Sequence, residues 1–99
     1  MKMEAVRLVQ FGETLASRHL GRQVRAVLAE ALQRHGRIVV EMAGVEVAAP
    51  GFLDEAFAKL VHDGVRGTIE LRHAPHGAEH LVRRLVARRK AMAAGGRAR

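Results

Sequence analysis

The sequence predicts an α/β domain in which helices pack on a small sheet. Three observations predict it. The run Ile38-Val39-Val40, with Met42 two residues on, is a short apolar stretch of the kind that forms a strand buried on both faces of a sheet. Residues 20–32 and 53–61 instead place their apolar side chains at three- and four-residue spacing, as one-sided helices do. Strand-like and helix-like segments then alternate along the chain, which is the pattern of a layered α/β domain. About four strands in a mixed sheet, carrying about three helices, are expected.

Each element has its own local reason. Residues 3–9 read as a first strand, with Val6 and Leu8 alternating against Arg7 and Val9. Phe11 anchors its end, and Gly12-Glu13-Thr14 reads as a turn. Ser17 is the best helix N-cap in the chain, because its hydroxyl can accept from a free amide one turn into the helix. The helix that follows buries Leu20, Val24, Val27, Leu28, Ala31 and Leu32, and Gly36 is placed to stop it. After the central strand, Val45 and Val47 alternate with Glu46 as a second short strand, and Pro50-Gly51 punctuates. The next helix is expected from Leu53 to near Gly64, with Phe57 and Leu60 against Val39 of the sheet and Val27 and Leu28 of the first helix. Residues 67–72 alternate again, Ile69 and Leu71 inward, as a strand toward the sheet edge. A loop at Ala74-Pro75-His76-Gly77 leads to a last helix over residues 79–92, with Leu81, Val82, Leu85 and Met92 on its apolar stripe. One domain is expected over residues 1–94, with a flexible basic tail over 95–99.

Composition narrows the function classes. The chain has 99 residues, no Cys, no Trp and no Tyr, so it has no disulfide framework, no thiolate site and no Tyr or Trp platform for stacking bases. No apolar run approaches the length of a membrane span, and Glu4 and Arg7 interrupt the N-terminal apolar stretch, so no signal peptide is read. A cytoplasmic protein is expected. The net charge of +7 suits an anionic partner, but the many Arg and Ala residues also suit plain coding bias.

The segment Gly44-Val45, small residues, then Phe52, Asp54, Glu55, Phe57, Lys59 and Leu60 resembles the hallmark of a STAS-like family of unknown function, related to STAS or anti-sigma-factor-antagonist domains. Leu15-Ala16-Ser17-Arg18 is similar to that family's short Ser-Arg signature. The resemblance covers roughly residues 11–92. It implies a single small STAS-like α/β domain and a regulatory interaction role, beside histidine-kinase-like ATPases or anti-sigma-type switch proteins. In phospho-regulated STAS domains, the loop entering the central helix carries a Ser that a kinase modifies. Here that loop is Ala48-Ala49-Pro50-Gly51, with no hydroxyl, so the phosphoswitch is expected to be absent.

The candidate sites follow. Ala49, Pro50, Gly51, Phe52, Asp54 and Glu55, with Ser17 and Arg18, are the expected partner-binding residues. Each has a plainer alternative: a tight turn for the loop, a core position for Phe52, and helix-dipole partners for the two acids. Adjacent carboxylates on an α-helix point about 100° apart, so they do not form a catalytic dyad. Ser17 and Arg18, with Arg22 one turn on, suit a phosphate or simply a capped helix with solvated Arg. Arg83, Arg84, Arg88, Arg89 and Lys90 crowd the last helix and make nucleic-acid or polyanion binding the alternative function, expected to be weak and non-specific. His73, His76 and His80 have a metal-like spacing but no Cys and one nearby acid, so no metal and no cofactor are expected. No nucleophile and base pattern assembles, so no catalytic residue and no enzyme are expected.

Overall fold

The structure, a computed structural model, describes the backbone of residues 4–97 and the side chains of residues 4–92. Met3 of the predicted first strand, and Ala98 and Arg99 of the predicted tail, lie outside the described residues.

The fold class is α/β, as the alternating pattern predicts, but the strands are all parallel. Strand β1 (Glu4–Arg7), β3 (Arg37–Glu41) and β5 (Thr68–Arg72) form one sheet in the order β1-β3-β5. The two-residue strands β2 (Thr14–Leu15) and β4 (Val47–Ala48) pair in a second, equally parallel sheet. A mixed sheet of four strands is therefore corrected to two parallel sheets of three and two. The reason lies in the connections: a helical crossover separates each sheet strand from the next, and such crossovers join parallel neighbours. Leu8 and Val9, read as the end of the first strand, form with Gln10 and Phe11 a 3-10 turn that carries the chain to β2.

Helix α1 (Arg18–His35) starts as its sequence requires. The Ser17 hydroxyl accepts from the Leu20 amide at 3.0 Å, and Gly36 ends the helix with φ of 73°. Its buried stripe is Gly21, Val24, Leu28, Ala31 and Leu32, while Val27 sits at the rim and is exposed. The central helix occupies residues 50–62, three residues earlier than its apolar period suggests, because Pro50 fits the first helical position where no amide is needed. The C-terminal helix spans Ala78–Arg97, so helical backbone runs into the stretch predicted as tail.

The core lies between the three-stranded sheet and the helices. Val6, Ile38, Val40 and Met42 face Leu28 and Leu32 of α1 and Phe52, Phe57 and Leu60 of the central helix. Side chains alternate across a strand, so Val39 points to the opposite face. Phe57 and Leu60 therefore meet the faces of Ile38 and Val40, which corrects the expected contact with Val39. That opposite face is open: Arg7, Arg37, Thr68, Glu70 and Arg72 are exposed there, and Val39 is buried among them. Val47 is also exposed, and Val45 takes the inward position of that short stretch.

Candidate functional site

The small β2–β4 pair has a positional consequence. Leu15 lies three residues before Arg18 and Ala48 two before Pro50, and the two strands are in register as Leu15↔Ala48. The Ala49 amide donates to the Leu15 carbonyl at 2.9 Å. The N-termini of α1 and the central helix are thus delivered side by side. Gly21 is where the two helices touch. A Cβ added there would stand 2.6 Å from the Glu55 Cβ and 2.9 Å from the Phe52 carbonyl oxygen.

At this crossing the central helix widens. Residues Asp54–Ala58 form a π-type turn, with the Lys59 amide bonding the Asp54 carbonyl five residues back. Such single wide turns recur at functional sites. In this turn the adjacent carboxylates share one cation. Arg18 Nη1 donates to Asp54 Oδ2 at 3.2 Å and to Glu55 Oε1 at 3.3 Å. Arg89 of the C-terminal helix grips Asp54 with both Nε, at 3.0 Å from Oδ1, and Nη2 on Oδ2. Arg25 Nη1 donates to the Glu55 carboxylate at 3.2 Å and to its backbone carbonyl at 3.0 Å. Lys59, one turn on from Glu55, closes the group at 3.0 Å. Four cations from three helices therefore surround two buried carboxylates. No buried side-chain polar atom among the described residues is left without a partner.

The electrostatics follow the geometry. The Arg89 hydrogen bonds hold the Asp54 carboxyl below its ordinary range, against the opposing effect of burial, with help from Arg18. Burial pushes Glu55 up, but the hydrogen bond and charge of Lys59, the Arg18 hydrogen bond and the charge of Arg25 outweigh it, and its carboxyl is also lowered. Both acids are ionised, and the surplus of cations leaves the site positive.

A groove of about 380 Å³ opens over this network. Its walls are Arg18, Pro50 and Gly51 on one side and Leu85, Arg88, Arg89 and Met92 on the other, with Asp54 at its floor. Gly51 lets the Arg18 side chain lie against the start of the central helix: a Cβ there would meet Arg18 Cγ at 3.4 Å and Nε at 3.5 Å. Arg18 keeps 56% of its side chain exposed, and Met92 is 61% exposed.

The predicted partner-binding residues separate by depth. Arg18, Pro50 and Gly51 line the groove, and Ser17 is occupied as the N-cap of α1. Phe52 is fully buried in the core, and Asp54 and Glu55 lie beneath the chain's own cations. Ala49 is half-buried at the helix start. The basic row of the C-terminal helix separates too. Arg89 is drawn inward onto Asp54, and Arg83 pairs with Glu79 at 2.8 Å, while Arg84, Arg88 and Lys90 make no such pair among the described residues. His73 stands against Glu41 at 2.7 Å, a hydrogen bond that holds the Glu41 carboxyl below its ordinary range.

Gly21, Arg25 and Lys59 are absent from the sites the sequence predicts, and Arg89 figures there only in the polyanion row. The signal existed: Arg18, Gly21 and Arg25 fall at i, i+3 and i+7, one stripe of α1 with a small residue between two cations. Leu85, Arg89 and Met92 follow a similar spacing, i, i+4 and i+7, on the C-terminal helix.

A family model described as a STAS-like domain of unknown function (DUF4325) matches residues 21–80. The chain belongs to this STAS-like family. No curated protein and no solved structure matches it. The matched segment is narrower than the resemblance over residues 11–92 suggests. It carries Gly21, Arg25, Asp54, Glu55 and Lys59 of the STAS-like domain, together with Pro50 and Gly51. Arg18, Arg89 and the outer wall of the groove fall outside it. No helix among the described residues is long and apolar enough to cross a membrane.

Proposed function

We propose that this STAS-like domain is a non-catalytic regulatory module that binds another protein in the groove over Asp54. One observation carries the proposal: exposed Met92 and Pro50, with Leu85, lie directly beside the half-exposed guanidinium of Arg18 and the exposed Arg88. An apolar seat rimmed by cations fits a partner segment that places an apolar side chain next to a carboxylate. Apolar anchors of this kind supply affinity, and flanking charges supply orientation. The partner class is a regulatory protein of the histidine-kinase-like ATPase or anti-sigma type, in line with the STAS-like family. The docking residues are Arg18, Pro50, Gly51, Leu85, Arg88 and Met92; Phe52, Asp54 and Glu55 support them from below.

The test is to capture the partner from its native cell with three variants beside the parent chain. Met92→Asp and Arg88→Glu change the groove, and Arg84→Glu changes the basic row of the same helix outside it. Loss of the same captured protein with the first two, and retention with the third, is the expected result. Loss with Arg84→Glu, together with a steep fall of binding in salt, would mean instead that the C-terminal helix binds a polyanion.

A further inference from the structure

Among the described residues the sheet ends at β5, and no strand pairs with its outer edge. The Thr68 amide donates to the Gly36 carbonyl at 3.0 Å, and the Arg72 carbonyl accepts from the Met42 amide at 2.9 Å. Those two bonds fix the parity of the strand: residues 68, 70 and 72 bond toward β3. The amides and carbonyls of Ile69 and Leu71 therefore point away from the sheet. Beside them runs a groove of about 430 Å³, walled by Leu60, Val65, Val82 and Val86 and capped by the Glu79–Arg83 ion pair. Ile69 and Leu71 are half-buried at its lip, and Val61 is 38% exposed. An unpaired strand edge next to an apolar trough is the geometry that strand addition uses.

We propose that a second copy of this chain occupies this edge, with the two β5 strands pairing antiparallel about a twofold axis at Glu70. The register is self-complementary. Ile69 of each copy falls opposite Leu71 of the other, and both residues present their free amide and carbonyl, so the pair closes four backbone hydrogen bonds. Their side chains share the inner face and drop into the two apolar grooves. On the open face, Glu70 of the two copies are directly opposite, flanked diagonally by Arg72. Within one copy Arg72 Nε already stands 2.6 Å from Glu70 Oε2, so the central four residues form an alternating cluster of two acids and two cations. The dimer extends the three-stranded sheet to six strands and leaves the partner groove over Asp54, on the other side of the C-terminal helix, untouched.

Charge-swapped variants test the register itself. Glu70 and Arg72 are 47% and 51% exposed, so neither Glu70→Lys nor Arg72→Glu disturbs the core, and a thermal melt of each variant checks that it is folded. The measurement is sedimentation velocity across a concentration series. The parent chain is expected to dimerise. Each single variant gives all four residues of that cluster the same sign and removes the Arg72–Glu70 ion pair, and its dimer dissociation constant rises by about tenfold or more. The equimolar mixture of the two variants regains the dimer, because the lysine introduced in one copy then faces the native Glu70 of the other. Ile69→Pro removes an outward amide without touching the β3 ladder, and is also expected to abolish pairing. A parent chain that stays monomeric overturns the proposal and leaves the edge to another partner. A dimer indifferent to all three variants, or a mixture that does not recover, overturns it as well.

Discussion

Asp54→Asn keeps the shape of the side chain and removes its charge. In the parent chain both Asp54 oxygens accept, one from Arg89 Nε at 3.0 Å and the other from Arg89 Nη2 and Arg18 Nη1. An asparagine retains one acceptor and turns an NH₂ group toward two guanidinium donors. Arg89 keeps only 21% of its side chain exposed, so its charge is left inside without a counterion. Breaking a fully buried pair costs about 3–5 kcal/mol. The Arg18 arm is more than half exposed and counts within the surface range of about 0–1 kcal/mol. Together these give about 2–3 kcal/mol for the variant, less than a full break because Arg89 retains some solvent. At this chain length that lowers Tm by roughly 10–20 °C. Differential scanning calorimetry of the parent, Asp54→Asn, Arg89→Met and the double variant Asp54→Leu/Arg89→Met makes the comparison. The double variant is expected to melt closer to the parent than either single one, since an apolar pair of similar volume leaves no stranded charge. An Asp54→Asn protein that melts within about 3 °C of the parent would put the pair below about 1 kcal/mol, too little for a buried ion pair.

Three further outcomes are expected. Gly21→Ala should lower stability by about 1–2 kcal/mol in urea unfolding, because the methyl group meets Glu55 and the Phe52 backbone and overpacking outweighs the helix-propensity gain; a stabilised variant would show a looser helix crossing. Asp54 and Glu55 titrate below their ordinary values of 3.8 and 4.5 in the folded chain, so their contribution is complete above those values and is lost as pH falls through the lower folded ones. Unfolding free energy should therefore fall steadily below about pH 5, less steeply in Asp54→Asn, and a flat profile down to about pH 3 would contradict the site. Residues 47–60 contain no Ser, Thr or Tyr, so peptide mapping after incubation with a partner kinase should place no phosphoester there.

What the sequence made readable was local. Ser17 capped α1, Gly36 ended it, and the Ile38-Val39-Val40 run formed the middle strand, because each depends on neighbours within one turn or one strand. β5 was placed correctly at an edge by its alternation. What escaped was set by distant parts of the chain. Strand β2 is two residues long and begins inside a segment that reads as a turn, so its pairing with the short strand expected around Val45 and Val47 left no signal. The wide turn at Asp54–Ala58 lies in a segment that reads as ordinary helix, and nothing in Asp-Glu-Ala-Phe-Ala announces a bond five residues back. The adjacent acids read as first-turn dipole partners, and most of the cations that neutralise them come from α1 and from the C-terminal helix, up to 37 residues away. Arg89 read as part of a solvated basic row, and its place on the Leu85–Met92 stripe turned it inward.

The methyl group of Met92 reports directly on the groove over Asp54. The chain has four Met residues; Met42 is buried in the core, while Met92 stands 61% exposed in the groove wall. With methyl-labelled methionine, titration of the captured regulatory partner should shift or broaden the Met92 resonance and leave Met42 in place. A partner that binds tightly while the Met92 signal stays unmoved would put the docking surface on another face of the domain.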